Sequence, residues 1–284
     1  MRDVWGILRA MSGRETSADR SPQAKEMADE SMIRNLAAQA DAIWPQELPV
    51  MRRYQPRDVL DLGCGTGEIT ARMAELFPAA RVTGVDLIES HLEIGRGKAA
   101  RFGDRVTFQV ADAFELPFAD GAFDLVVCRH VLQAIPHAEQ VLAEMVRVCR
   151  PGGMLHVLAE DYGMIHAAPT RRDVAWFWHE APRAYEKLAG TDLHIGRTIH
   201  HHLRALPLDD IEVHYIHVDT MHVPRETFAT IFEAWRDGYT EATARSLNIS
   251  EDEARDYFQA TIECIRDPGG FALWLAPIWT ARRR

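Results

Sequence analysis

Three aspartates close three short β-rich runs: Asp61 within Val59-Leu60-Asp61-Leu62, Asp86 after Arg81-Val82-Thr83-Gly84-Val85, and Asp112 after Val106-Thr107-Phe108-Gln109-Val110-Ala111. Gly63-Cys64-Gly65-Thr66-Gly67 follows the first of them. Glycines in such a turn accept positive φ and let a ligand come close to the backbone. The amides of the helix that starts beyond the turn face whatever carboxylate or phosphate lies over it. Asp86 stands 19 positions beyond Gly67, a distance at which an acid accepts both ribose hydroxyls in nucleotide-binding βαβ units. Asp61 narrows the choice of nucleotide. A pyrophosphate would be repelled by a carboxylate placed before the glycines, whereas a zwitterionic amino acid would not. The dinucleotide spacing Gly-x-Gly-x-x-Gly is also missing, because the run is Gly-x-Gly-x-Gly.

With these residues in hand, the segment resembles the nucleotide-binding loop of class I S-adenosylmethionine-dependent methyltransferases. The resemblance implies that Asp61 holds the methionine ammonium, directly or through water. It implies that Asp112 accepts from the adenine amino group, that the Ala113 amide meets a ring nitrogen, and that Leu87 flanks the adenine face. The cofactor shell expected on this basis is Asp61, Gly63, Cys64, Gly65, Gly67, Asp86, Leu87, Asp112, Ala113 and Arg129, with S-adenosyl-L-methionine as cofactor. A plain helix-capping role for Asp112 is the competing reading. Farther on, Leu116-Pro117-Phe118, Phe123-Asp124-Leu125-Val126, Leu142 and Arg150-Pro151-Gly152-Gly153 look like the small-molecule branch of the same family. The resemblance covers about residues 55–160.

These groups need a scaffold, and the alternation of apolar runs with helical stretches supplies one. Strands are expected at 59–62, 81–86, 106–110, within 121–130, and at 154–159, 211–219 and 271–278. Seven strands match the family's doubly wound α/β sheet, mostly parallel with an antiparallel last strand, here with helical lid elements added. The chain divides into a flexible segment 1–21, a cap helix within 22–54, the cofactor-binding core 55–160, an aromatic lid 161–195, and 196–284, which completes the sheet. Ser21-Pro22 is a helix start, and Trp44-Pro45 is expected to end that helix. Trp176-Phe177-Trp178 puts three large rings about 100° apart on one helix, more than one core-facing stripe can bury. Trp176, Trp178 and Tyr185 are therefore the expected substrate-binding residues. The stripe Phe228, Ile231, Phe232, Trp235 and Tyr239 is read as packing or as a contact with a second copy, and Ser250 to Glu253 as a capping box.

The 284 residues carry 42 acids against 32 bases, a formal net charge of −10. That balance argues against nucleic acid as a partner, because such proteins present a basic face. Arg282-Arg283-Arg284 is read as a solvated tail. No apolar run approaches the ~20 residues of a membrane span, and the first residues lack an apolar signal core. Cys64, Cys128, Cys149 and Cys264 lack metal-ligand spacing and are expected to be reduced, in a cytoplasmic setting. No metal site is expected. His200-His201-His202 point three ways on a helix, and His214 and His217 fall on opposite faces of a strand.

The expected chemistry is methyl transfer to a small, aromatic, natural-product-like metabolite, at an O, N or C atom. A sulfonium carries its own electrophile, so the protein must position a nucleophile, exclude water and, for a phenol or a protonated amine, accept a proton. Position in the chain offers His130, Tyr162, His166 and His179 for that last task. Two other readings remain open: a binding protein that keeps the nucleoside pocket without turnover, and an NAD-dependent oxidoreductase.

Overall fold

Leu60 and Leu62 pack on one layer of the core and Val59 on another, so the first strand is covered on both faces. Strands buried on both faces belong to parallel sheets clothed by helices on each side. The computed structural model, which describes residues 21–23, 27 and 29–284, has this architecture. In chain order its elements are α1 (Glu30–Met51), β1 (Asp58–Leu62), α2 (Glu68–Leu76), β2 (Arg81–Asp86), α3 (Glu89–Ala99), β3 (Val106–Val110) and β4 (Phe123–Arg129). Then come α4 (Ala138–Val148), β5 (Cys149–Leu158), β6 (Ile165–Ala168), α5 (Val174–Ala189), α6 (Ile195–Arg204), β7 (Leu208–Asp219), α7 (Arg225–Leu247), α8 (Glu251–Arg266) and β8 (Phe271–Arg283).

Parallel pairing runs β3-β2-β1-β4-β5, and β8 then joins antiparallel. β1 lies between β2 and β4, so the order of the strands reverses there. Open α/β sheets bind their ligands outside the carboxyl ends of the strands at such a point. On β8, Leu273 and Trp274 pair with both β6 and β7, while Thr280 and Arg282 pair with both β5 and β7. One edge of β8 therefore carries β5 and β6 end to end, and the other carries β7. The sheet thus has eight strands, with β6 as the addition to the expected seven. Only four residues long, β6 was hidden within the lid segment 161–195.

The loop between β5 and β6 opens a gap along β8 opposite Pro277, whose carbonyl accepts from Ala159 N at 3.3 Å. Proline has no N–H to give to a ladder. Here its missing donor falls where β5 has ended. β8 also runs to Arg283 rather than Ile278, so the terminal arginines are not a solvated tail. Arg282 Nε donates to Asp210 at 2.9 Å, and Arg283 Nη1 donates to the Arg147 carbonyl at 3.0 Å. Outside that gap, β8 has strand partners on both sides for its backbone groups.

The expected lid is part of a helical layer. Phe177 and Trp178 of α5, Phe228, Phe232 and Trp235 of α7, Phe258 of α8 and Trp274 of β8 share one buried cluster. The α7 stripe is buried inside the protomer, which removes it as a face for a second copy. Ser250 caps α8 as expected, its Oγ accepting from Glu253 N at 3.1 Å. The expectation for segment 1–21 lies outside the described residues, except Ser21. The helix expected from Ser21-Pro22 falls partly outside them as well. Its described part starts at Asp29, whose Oδ1 accepts from Ser31 N at 2.8 Å, and it continues through Pro45 and Pro49 to Met51. Proline inside a helix costs about 3 kcal/mol, and tertiary contacts of this helix offset it.

One of those contacts is a buried polar chain. Glu47 of α1 pairs with Arg129 of β4 at 3.0 Å and with His156 Nε2 of β5 at 2.9 Å. His156 Nδ1 in turn meets Tyr54 Oη at 3.1 Å. Burial alone would raise the pKa of Glu47, but the Arg129 charge and the His156 bond hold it below the usual carboxylate range. Its contribution to stability is therefore present at neutral pH and is lost as pH falls through the lowered folded-state value. Next to it, Gln46 Nε2 donates to the His217 carbonyl at 2.7 Å while its Oε1 accepts from His217 N at 3.0 Å. This side-chain amide covers part of the open edge of β7, where an unpaired strand would otherwise invite another chain. Glu47→Ala leaves Arg129 as an uncompensated buried charge and is expected to cost about 3–5 kcal/mol. Urea unfolding is the measurement, and an unchanged midpoint would contradict the assignment.

Candidate functional site

The turn after β1 puts Gly63, Gly65 and Gly67 at φ of +69°, +51° and +73°. A Cβ on Gly67 would also lie 2.9 Å from Gly95 Cα, so α2 and α3 approach there too closely for any side chain. Asp86, at the end of β2, fixes the turn: its Oδ2 accepts from Gly65 N at 2.9 Å and its Oδ1 from Ile88 N at 3.0 Å. A carboxylate offers about four lone-pair sites, so capacity remains for ligand hydroxyls. Asp112 Oδ1 accepts from Phe114 N at 3.0 Å, which makes it the head of a turn rather than a helix cap.

Asp61 is 2% exposed, and its Oδ2 accepts from Thr70 Oγ1 at 2.6 Å. Burial pushes its pKa up to about 6, against the opposing pull of the Thr70 bond and the Arg129 charge. All three aspartates line one cleft, whose volume with its open mouth is about 1160 Å³. The same cleft is lined by Gly63, Cys64, Gly65, Leu87, Ala113 and Arg129, so the expected cofactor shell converges there, apart from Gly67. Arg129 is 8% exposed, with Nε lacking any hydrogen-bond partner. From cleft floor to mouth the donor set suits an ammonium at Asp61, an anion at Arg129, hydroxyls at Asp86 and an amine at Asp112. These are the groups of an aminocarboxylate nucleoside.

Several residues of this cleft stand outside the expected cofactor shell. Leu36, Gln39 and Ala40 of α1 form one wall, and Val131, Ala134 and Ile135 after β4 form another. His91 lines it too, with Nε2 unpartnered and its pKa lowered, burial being the largest cause. Contacts of this kind come from tertiary packing, and no local motif announces them.

A second cavity of about 500 Å³ lies under the helical layer, lined by Tyr162, Trp178, Tyr185, Trp235, Tyr239 and Phe258 among others. Gln23 lines both cavities and so forms a shared wall. Trp178 and Tyr185 therefore sit where a substrate could reach them. Trp178 Nε1 is held by Thr261 Oγ1 at 3.1 Å. Trp176 does not join them: it is 40% exposed and lies against Tyr257. On a helix the residues inward of this bundle are Phe177, Trp178, Ala181 and Tyr185, which turns Trp176 and His179 outward.

Of the four candidate proton acceptors, His130 lines the cofactor cleft and Tyr162 the aromatic cavity. His166 and His179 are both exposed and line neither. On β6 the period of two buries Ile165 and turns His166 out, and His179 pairs with its neighbour Glu180 at 2.7 Å. The expectation that these two take part in catalysis is therefore corrected. His130 stands at φ +57°, immediately beyond β4, with its N–H bonded to the Leu158 carbonyl at 3.0 Å. Its Nδ1 pairs with Glu160, a residue 1% exposed in the β5–β6 loop. Burial raises the Tyr162 phenol well above its ordinary value, and Glu160, Tyr239 and Tyr185 add to the shift.

Because the Asp61 pKa is raised on folding, the native state binds a proton that the unfolded state releases between about 4 and 6. Stability from this group is complete below the unfolded value and is lost as pH rises through about 6. Asp61→Asn removes the penalty and should raise the stability of the ligand-free protein at neutral pH by about 1–3 kcal/mol. It should also weaken S-adenosylhomocysteine binding at least tenfold. In the native protein that affinity should fall as pH drops below about 6. Thermal melts and calorimetry read both effects, and destabilisation together with retained affinity would refute this role for Asp61.

Residues 59–153 match the sequence profile of a methyltransferase domain. Two similar proteins are demethylmenaquinone methyltransferases. That of Symbiobacterium thermophilum is 32% identical over 148 residues, 47% of this chain and 59% of its own. That of Thermus thermophilus is 39% identical over 126 residues, 44% of this chain and 57% of its own. The chain thus spans less than two thirds of the length of these relatives. Among solved structures, phosphoethanolamine N-methyltransferase 2 of Haemonchus contortus, in complex with phosphomonomethylethanolamine and S-adenosylhomocysteine, aligns with a TM-score of 0.57 and 20% identity. The alignment covers 93% of this chain and 60% of that one, and it shows a common fold. The glycine turn, the three strand-end carboxylates and the matched profile lead to one conclusion: residues 59–153 form a methyltransferase domain of the class I S-adenosylmethionine-dependent type.

Proposed function

We propose that this protein transfers the methyl group of S-adenosylmethionine to a small, largely apolar, ring-bearing acceptor seated in the aromatic cavity. The observation that carries the proposal is the pairing of two cavities across Gln23, one lined by the carboxylates Asp61, Asp86 and Asp112 and the other by aromatic rings. The residues of the first fit the cofactor. Asp61 and Arg129 would hold its amino-acid end, Asp86 its ribose, and Asp112 with Leu87 its adenine. When bound, the cofactor supplies an electrophilic methyl carbon on sulfur. The protein then contributes placement of the acceptor and exclusion of water.

The acceptor side is set by residues outside the matched domain. The demethylmenaquinone enzymes act on a quinone precursor by name, and the Haemonchus structure holds a phosphorylated amine. One core therefore serves unlike acceptors. In this chain the second cavity offers Trp178, Trp235 and Phe258 as apolar walls, with phenols of Tyr162, Tyr185 and Tyr239 at its polar points. That lining suits a ring with one or two polar substituents and, among the described residues, gives a phosphate no cation. An oxidoreductase reading fares worse, because a pyrophosphate would meet the buried Asp61 carboxylate.

Calorimetry on the full chain with S-adenosylhomocysteine and with NAD tests the cofactor; binding of NAD alone would reverse the assignment. Transfer of labelled methyl to a metabolite extract tests turnover. Trp235→Ala should lower kcat/KM for the acceptor by about 10- to 100-fold, given a few kcal/mol for a lost aromatic wall. It should change S-adenosylhomocysteine affinity little. Equal losses on both sides would place Trp235 in general packing instead.

A further inference from the structure

The His130–Glu160 pair has a form that cofactor binding does not explain. His130 and Glu160 follow the neighbouring parallel strands β4 and β5, at the point where the sheet order leaves the cofactor turn. Nδ1 of His130 is engaged by the Glu160 carboxylate, which fixes that nitrogen as the protonated one in a neutral imidazole. Nε2 is then a bare lone pair. It is buried and has no hydrogen-bond partner among the described residues, and His130 lines the cofactor cleft. The tilted Trp274 ring, 6.1 Å between centroids, packs beside it and joins it to Trp235, 5.3 Å farther, a wall of the aromatic cavity. The backbone of His130 is in the left-handed region, which a non-glycine residue holds only when its surroundings impose it. The charged and titratable groups around the pair are Glu160, Glu47, Arg129 and the Tyr162 phenol.

We infer that His130 is the general base of the methyl transfer, that Glu160 is its positioning residue, and that the acceptor is a hydroxyl-bearing ring. The inference rests on the function proposed above. In the step, the acceptor oxygen uses a lone pair to bond the methyl carbon, and the carbon–sulfur bond breaks with its pair going to sulfur. The O–H proton passes to Nε2 of His130. The cationic charge that leaves the sulfonium thus reappears on the imidazolium, beside Glu160, and the proton departs to solvent afterwards. A carboxylate on Nδ1 both holds the ring and stabilises the imidazolium that forms.

The probe is 4-nitrophenol, whose acidity is close to that of imidazole and whose phenolate absorbs separately. It is added to the full chain saturated with S-adenosylhomocysteine, so that any change in cofactor affinity drops out. The bound probe is expected to absorb as the phenolate at a pH where the free compound is protonated. His130→Asn is expected to abolish that absorbance and Glu160→Gln to reduce it about tenfold or more. Nitrogen-15 spectra of the histidine rings should show His130 protonated at Nδ1 in the native protein and a mixture of tautomers in the conservative Glu160→Gln. This reading holds even if the Asn variant fails to fold. Binding of the probe as neutral phenol, equal phenolate in His130→Asn, or no probe binding by a protein that binds S-adenosylhomocysteine would each overturn the inference. Failure to bind S-adenosylhomocysteine at all would instead overturn the function proposed above.

Discussion

The site is organised around a carboxylate that the fold does not want. Asp61 is buried at the end of β1 with one neutral hydrogen bond from Thr70, and its pKa is raised to about 6 as a result. Burial favours its protonated form. Arg129, one strand over, opposes this, and Arg129 is itself tolerable only because Glu47 meets it from α1. Glu47 also takes His156, which takes Tyr54. The charges alternate in sign from the cleft into the core, each partly neutralising the next. This explains why α1 carries two prolines and still stays helical across the sheet. Its polar residues belong to the electrostatics of the cleft, and its apolar ones to the wall of the cleft.

The cofactor half was legible from sequence because its chemistry is local. A strand, an acid, a glycine turn and a helix lie within a dozen residues, and the pattern repeats with an acid at the end of β2 and again just beyond β3. Backbone geometry and ligand contact are there encoded by the same few side chains. Arg129 could be named from its place at the end of β4. Its partner Glu47 lies 82 positions away and could not be named. The same limit applies to His130 and Glu160, one read and the other missed, since only the β4–β5 register brings them together. The errors in the fold have equally physical causes. Pro45 is read as a helix stop by local rules, and packing of Ile43, Val50 and Met51 overrides it. Pro277 and three terminal arginines disguise a central strand as a short one with a tail.

The two halves of the chain answer different demands. Residues 59–153 must hold an invariant ligand, and they match a common domain profile. The helices α5, α7 and α8 enclose the second cavity, and they line it with rings rather than ion pairs. Phe177 and Tyr257 stack at 4.9 Å, and Trp178 meets Phe232, Trp235 and Phe258 edge-on within 6.1 Å. Such contacts fix shape without placing charge in the cavity. The consecutive rings of α5 show how this is reached: two go inward to the cluster, and Trp176 goes out against Tyr257.

On the proposed reading, an apolar chamber next to a charged cofactor cleft also has an energetic logic. Two opposite charges attract far more strongly at an effective dielectric of 20 than in water. If the acceptor loses its proton before or during attack, the reacting pair is an oxyanion and a sulfonium, and their charges cancel as the new bond forms. Such a step is favoured where water is excluded, provided the proton has somewhere to go. Among the described residues the cofactor cleft offers it the bare nitrogen of His130, backed by a carboxylate that is 1% exposed. The aromatic walls and the buried pair are thus two parts of one requirement. Either alone would leave a dry chamber with a protonated nucleophile, or a base opening onto solvent.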